Sequence, residues 1–245
     1  MDAFFPFDPF IMCIALFVTT GAAALQSTVG IGFAIVSVPI LSMVDTRLAP
    51  VPQLLMILPL TLSMALRERG AIDAKGVTRV MCGRVLGTLC GLLLLMWASQ
   101  RWLDLIIATI VLGAVAALVR VKRVPRNATT EVVAGTVSGA SAIISSIGGP
   151  PLALLYSDAR GDTLRASLGV IFSLGLILTI GGRMYLGHIS TTECLVAAWL
   201  FPGVLLGFTL SNQWLHRVDN AFLRRAIFLI ASTAAMALFA RGLSS

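Results

Sequence analysis

Apolar residues dominate this chain in long runs, and polar ones gather in short intervals between them. The runs cover roughly 10–44, 48–66, 77–98, 103–119, 132–156, 164–185, 195–215 and 221–240. A helix crossing the ~30 Å hydrocarbon core of a bilayer needs about 20 such residues. The pattern therefore predicts an all-α polytopic membrane protein of about eight hydrophobic segments, in two groups of four. The shorter runs still suffice, because Arg101 and Arg120 can snorkel and Trp102 can sit at the interface. Two segments are broken. Ser145-Ser146-Ile147-Gly148-Gly149-Pro150-Pro151 interrupts one, and Ser27-Thr28-Val29-Gly30-Ile31-Gly32 interrupts the other. Within a helix each Gly costs about 1 kcal/mol and each Pro about 3, and lipid offers the freed backbone groups no partner. Breaks at two matching places point to a site built there.

The halves look like copies. Gly21, Ser27 and Gly30 recur as Gly139, Ser145 and Gly148 at one constant offset. Gly70-Ala71-Ile72-Asp73 is answered by Gly187-His188-Ile189-Ser190, Gly83 and Gly87 by Gly203 and Gly207, and Gly91 by Ser211. This predicts two repeats, 1–126 and 127–245, in one membrane domain, an organisation common in secondary transporters. The segment 10–44 would be roughly 50 Å long as one helix, too long for a single crossing, whereas legs 10–25 and 31–44 fit. Lys and Arg favour cytoplasmic loops. Single crossings would divide them about ten inside to seven outside, and turned-back segments about thirteen to four. The charges thus favour turned-back helical hairpins, inverted repeats and an external N-terminus.

Composition agrees on the class and narrows the chemistry. The chain is 58% hydrophobic and 12% charged, with a mean hydropathy of +0.95, against about 25% charged residues in soluble domains. In this setting the net charge of +7 orients loops and implies no nucleic acid. The opening residues carry Asp2 and Asp8 but no Lys or Arg, so the first apolar run reads as a retained membrane segment and not a secretory leader. Cys13, Cys82, Cys90 and Cys194 lack pairing or ligand spacing and read as small apolar side chains in helix contacts. Every Asp and Glu falls in a loop or at a segment end, leaving no carboxylate inside a span to relay protons or bind a cation. No His, Asp or Glu within a span can activate a Ser or Thr, which argues against an intramembrane hydrolase. His188 and His216 stand at segment ends without metal-ligand spacing. No catalytic residue, metal or cofactor is expected.

What remains in the spans is neutral or positive. Arg84 lies early in the third segment, where it could snorkel to the cytoplasmic face or place positive potential beside an anion route. Gln26 and Gln53 lie deeper, as helix-to-helix hydrogen-bonding groups or, more readily for Gln26, as substrate contacts. A helix restarting after Gly30-Ile31-Gly32 or after Pro150-Pro151 offers unpaired N–H groups and the positive end of its dipole. Ser and Thr hydroxyls at the same level would complete a nest for a small oxyanion. The candidate substrate site is Gln26, Ser27, Thr28, Gly30, Gly32, Ser145, Ser146, Gly148, Gly149 and Arg84. Gly83-x-x-x-Gly87-x-x-x-Gly91 reads instead as a row for close helix packing.

With these residues in view, the chain resembles the TauE/SafE family of sulfite exporters and related membrane permeases. The resemblance rests on Gly30-x-Gly32-Phe33 with Pro39, Gly83-x-x-x-Gly87, Gly148-Gly149-Pro150-Pro151 and Arg165-Ala166-Ser167-Leu168. Pro202-Gly203-x-x-x-Gly207 and Phe222-Leu223-Arg224-Arg225 complete it across nearly the whole chain. It implies a permease of the bacterial inner membrane for small sulfur-containing anions or related organic acids. Arg84 departs from the small or apolar residue usual in the family. The expected function is a secondary transporter of a small oxyanion, with membrane lipid as surroundings and a homo-oligomer left open. A passive anion channel and a non-transporting scaffold are the alternatives.

Overall fold

A computed structural model describes residues 7–97 and 124–213, with isolated positions between 99 and 120 and at 233 and 236. The expected segments 103–119 and 221–240, together with His216 and the Phe222–Arg225 motif, lie largely outside the described residues. The described helices are α1 (Pro9–Val29), α2 (Phe33–Val44), α3 (Val51–Arg67), α4 (Ala74–Trp97), α5 (Ala128–Ser145), α6 (Gly149–Leu155), α7 (Gly161–Tyr185) and α8 (Thr191–Gln213). No strand occurs among the described residues. α1, α3 with the short turn Thr46–Leu48 before it, α4, α7 and α8 are long and apolar enough to cross a membrane. The protein is a multi-pass α-helical membrane protein.

Local chemistry sets the helix ends. Asp8 caps α1 by accepting the Phe10 N–H at 2.8 Å, with Pro9 in the first turn, where its missing N–H costs nothing. A reciprocal cap between Asn127 and Thr130 starts α5. Both broken helices stop at a left-handed residue, Gly30 at φ 94 and Ser146 at φ 62. α1 continues to Val29, past the expected leg end at residue 25, so Ser27 and Thr28 belong to its last turn. α6 starts at Gly149, before the prolines and not after them, because Pro fits the first turn of a helix.

Each broken segment brings its two ends together. The Arg47 guanidinium, past the end of α2, lies 4.5 Å from the Phe7 ring ahead of α1. The Arg126 guanidinium, ahead of α5, lies 4.2 Å from the ring of Tyr156 at the end of α6. Between them, Ser138 Oγ in α5 donates to the Gly148 carbonyl at 2.6 Å.

Helix pairing follows small residues. α4 packs on α5, α1 on α8 and α3 on α7. A Cβ at Gly83 would overlap the Val132 carbonyl oxygen, and one at Gly87 that of Thr136. Gly135 and Gly139 meet Val80 and Arg84 backbone in return, and Gly207 meets that of Thr20. Backbone lies on backbone, as the glycine row predicts. The cysteines depart from expectation: Cys13, Cys82, Cys90 and Cys194 are exposed on outward faces and take no part in these contacts. Glycine already supplies the close approach there.

The bundle has two unlike ends. At the basic end Arg165 donates to Glu68 through Nε at 3.0 Å and Nη2 at 2.6 Å, tying α7 to α3. Arg126 pairs with Asp73, and with Glu131 at 3.1 Å, and Arg79 reaches Glu131 at 3.1 Å. The far end carries Asp45, Arg47, Pro50, His188 and Glu193.

Candidate functional site

Where the two breaks meet, a cavity of about 40 Å³ lies inside the bundle. Gln26, Gly32, Ala34 and Ile35 line it from the first break, and Ser146, Gly148 and Gly149 from the second. Arg84 of α4 and Phe172 of α7 complete the wall. The breaks touch here: a Cβ at Gly149 would sit 3.8 Å from Ile31 Cγ2. By that volume the cavity holds about three waters or one small ion.

Arg84 is its dominant charge. Gly175 and Gly139 admit the residue: a Cβ at Gly175 would collide with the guanidinium, and one at Gly139 with the Arg84 backbone. The side chain is 1% exposed, three turns inside α4, so it does not reach the helix end as a snorkelling residue would. Arg84 Nη1 donates to Ser138 Oγ at 3.0 Å, and the guanidinium carbon lies 5.8 Å from the Phe172 ring centre. Ser138 passes the link on to the Gly148 carbonyl, coupling the charge to the second break. Arg84 Nε has no partner, and no carboxylate lies within ion-pair distance of Arg84 among the described residues. Burying a charge without a counter-ion costs several kcal/mol.

Gln26 supplies the second polar feature. Its Oε1 accepts the Phe33 N–H at 3.0 Å, capping α2 from across the break. Its Nε2 is buried without a partner. The first intrahelical bond of α2 that closes onto the break runs from Val36 N to the Gly32 carbonyl at 3.1 Å. The N–H groups of Ala34 and Ile35 precede it, on residues that line the cavity. The second break brings fewer donors, since Pro150 and Pro151 carry no N–H.

Ser27, Thr28, Gly30 and Ser145 stand back from the cavity wall. Ser27 Oγ donates to the Ala23 carbonyl at 2.8 Å, Thr28 to Ala24 at 2.9 Å and Ser145 to Ser141 at 2.8 Å. Those hydroxyl hydrogens serve their own helices. Ser146 lines the cavity, but its Oγ donates to the Pro50 carbonyl at 3.1 Å. Gly30 packs under Leu164 and Arg165. Gln53 Nε2 donates to the Leu48 carbonyl at 3.2 Å.

Sequence reasoning passed over two cations. Arg67 Nη2 donates to the Ser27 carbonyl at 3.3 Å. Arg183 donates to the carbonyls of Ile143 and Ile144, both at 2.9 Å. Each sits in the last turn of the helix that follows a broken segment, α3 or α7, and supplies positive charge to the carbonyl end of that segment's first helix. Their matching places after the breaks were the available signal, masked by counting both as loop charges.

A family model described as sulfite exporter TauE/SafE matches residues 14–238. The chain belongs to the TauE/SafE sulfite exporter family. No curated protein and no solved structure matches it. The family match spans both breaks, and Gly32, Gly148 and Gly149 of those breaks line the cavity with Arg84.

Proposed function

We propose that this TauE/SafE protein is a secondary transporter moving a small sulfur-containing or related organic oxyanion, such as sulfite or a sulfonate, across the bacterial cytoplasmic membrane. One observation carries the reading: the buried Arg84 faces the cavity between the breaks without a carboxylate partner among the described residues. An oxyanion would supply the missing counter-charge and accept from Arg84 Nε, Gln26 Nε2 and the first N–H groups of α2. The family membership supports the sulfur chemistry, and the absence of an ion-paired partner supports an anion as the guest.

We read the chain as two repeats, inverted as the loop charges favour, and the helix pairing supports the repeat. Exchanging the halves maps α1 on α8 onto α5 on α4, and α3 on α7 onto itself. The Lys/Arg-rich basic end is the cytoplasmic one by the positive-inside tendency.

The test is a thermal-shift screen on detergent-purified protein with sulfite, thiosulfate, sulfonates and carboxylates. Wild type is stabilised by at least one sulfur oxyanion, and Arg84→Gln loses that stabilisation. Equal stabilisation of both proteins would overturn the assignment of Arg84. Saturable flux with counterflow in proteoliposomes separates a transporter from a channel.

A further inference from the structure

The central cavity shares a wall with a larger one. Ser146 lines the central cavity and donates to the Pro50 carbonyl at 3.1 Å. Pro50 in turn lines a cavity of about 340 Å³ at the far end, with Ile144, Arg183, His188, Ser190 and Glu193. One hydrogen bond thus joins a residue of one lining to a residue of the other. Ser146 holds it at φ 62, a conformation that few residues other than glycine adopt. The basic end is built the opposite way. There Leu164 covers Gly30, Arg165 clasps Glu68, and Arg126 ties Asp73 to Glu131.

Charge is graded with depth in the outer cavity. Arg183 is only 4% exposed, and it fastens to the carbonyls of Ile143 and Ile144 beside the partition. A guanidinium carries more N–H donors than those two bonds use, and it stays charged at any physiological pH. Glu193 is half-buried and accepts the Ser190 N–H at 2.6 Å, while His188 and Ser190 are exposed. Solvent screens groups at a rim more than a buried charge. A single negative charge is therefore drawn inward toward Arg183; a double one gains twice the attraction, but its desolvation cost grows with the square of its charge, so it enters less readily.

We infer that this outer cavity is the port by which a singly charged oxyanion reaches the central cavity, with Arg183 as the receiving charge and the Ser146–Pro50 contact as the partition it crosses. The inference rests on the anion reading of the central cavity. It also accounts for Arg183 both fixing the end of α5 and facing the port. An anion arriving there meets a charge joined to the helix end that carries Ser146.

The experiment is thiol labelling of Ser146→Cys in a full-length chain with its four native cysteines replaced by alanine, reconstituted in vesicles. A membrane-impermeant maleimide is added from one side at a time. Labelling occurs from the side of Arg47 and His188, and methanesulfonate, a monoanion, slows it about fivefold or more. Sulfate, a dianion, slows it less. Adding Arg183→Gln removes the protection, as a charge-assisted contact is worth about tenfold or more in affinity. Because that change also frees two carbonyls, Ser190→Trp, which fills the port without touching α5, provides a second arm and slows labelling. Labelling only from the Arg67 and Arg165 side, or none from either, overturns the inference. So does labelling that no anion slows while Arg84-dependent anion stabilisation persists in the same preparation. Loss of that stabilisation in the parent protein instead overturns the anion reading itself.

Discussion

At Gln26 one amide holds a broken helix together and still has its nitrogen free. Oε1 takes the Phe33 N–H, and Nε2 is left in the cavity with Arg84. Gln26→Glu separates the two roles. A carboxylate still accepts the Phe33 N–H, but its charge gives Arg84 an internal counter-ion. The expected outcome is a melting temperature equal to or above wild type with the sulfite-induced shift abolished, read by fluorescence-monitored unfolding. A retained shift would show that the cavity is not where the anion sits. Gln26→Leu instead leaves the Phe33 N–H unpaired, costs about 1–3 kcal/mol, and lowers the melting temperature without any anion. At this scale the sequence was partly readable. Gln26, Gly32, Arg84, Ser146, Gly148 and Gly149 share one cavity because the breaks that announce themselves in sequence are also where the chain turns. Ser27, Thr28 and Ser145 are candidates through their hydroxyls alone. A hydroxyl in the last turn of a helix has a carbonyl of its own four residues back, and no residue pattern reveals which partner it takes.

Among the helices, the closest approach of α4 to α5 is set by glycine. Gly87→Leu drives a side chain into the Thr136 carbonyl, and helix backbones this close cannot yield without moving apart. Overpacking of this kind costs about 1–3 kcal/mol or more. Detergent-solubilised Gly87→Leu is expected to melt several degrees lower and to lose anion binding, because Arg84 and Ser138 sit on the two helices being separated. Gly21 is the control. A Cβ there meets nothing within 4 Å, so Gly21→Ala gains helix propensity of about 1 kcal/mol and melts at or above wild type. If both variants behaved alike, the distinction between packing glycines and idle ones would fail. The glycine row was legible because spacing alone reports which residues share a helix face. Arg84's burial was not, since depth depends on where α4 begins. The helix starts at Ala74, so a residue that looked close to an apolar edge stands three turns inside.

At the scale of the whole molecule, ion pairs among the described residues tie the basic end, and part of that tie titrates. Burial pushes the Asp73 carboxyl up, but the Arg126 guanidinium and the Gly76 N–H outweigh it and hold the group below the ordinary 3.8. A carboxylate whose pKa is depressed by folding adds stability above its unfolded value and loses it as pH falls through the folded one. The tie from α4 to the stretch before α5 is therefore intact at neutral pH and weakens only below about pH 4. Neither the pairing across ninety-odd residues of Arg165 with Glu68 nor that of Arg126 with Asp73 could be read from sequence. Loop charges give an expected orientation but no partners, because pairing depends on how the helices pack. Asp73→Asn tests the tie. It removes the charge that Arg126 holds, so the variant melts below wild type at pH 7. It also lacks this group's share of the acid-induced decline, and its melting curve converges with wild type as pH drops from 5 toward 3. Parallel curves over that range would mean that Asp73 carries no net linkage. The basic end would then be held shut chiefly by Arg165 and Glu68, and Glu68→Gln, not Asp73→Asn, would be the change that makes a cavity cysteine reachable from the basic end.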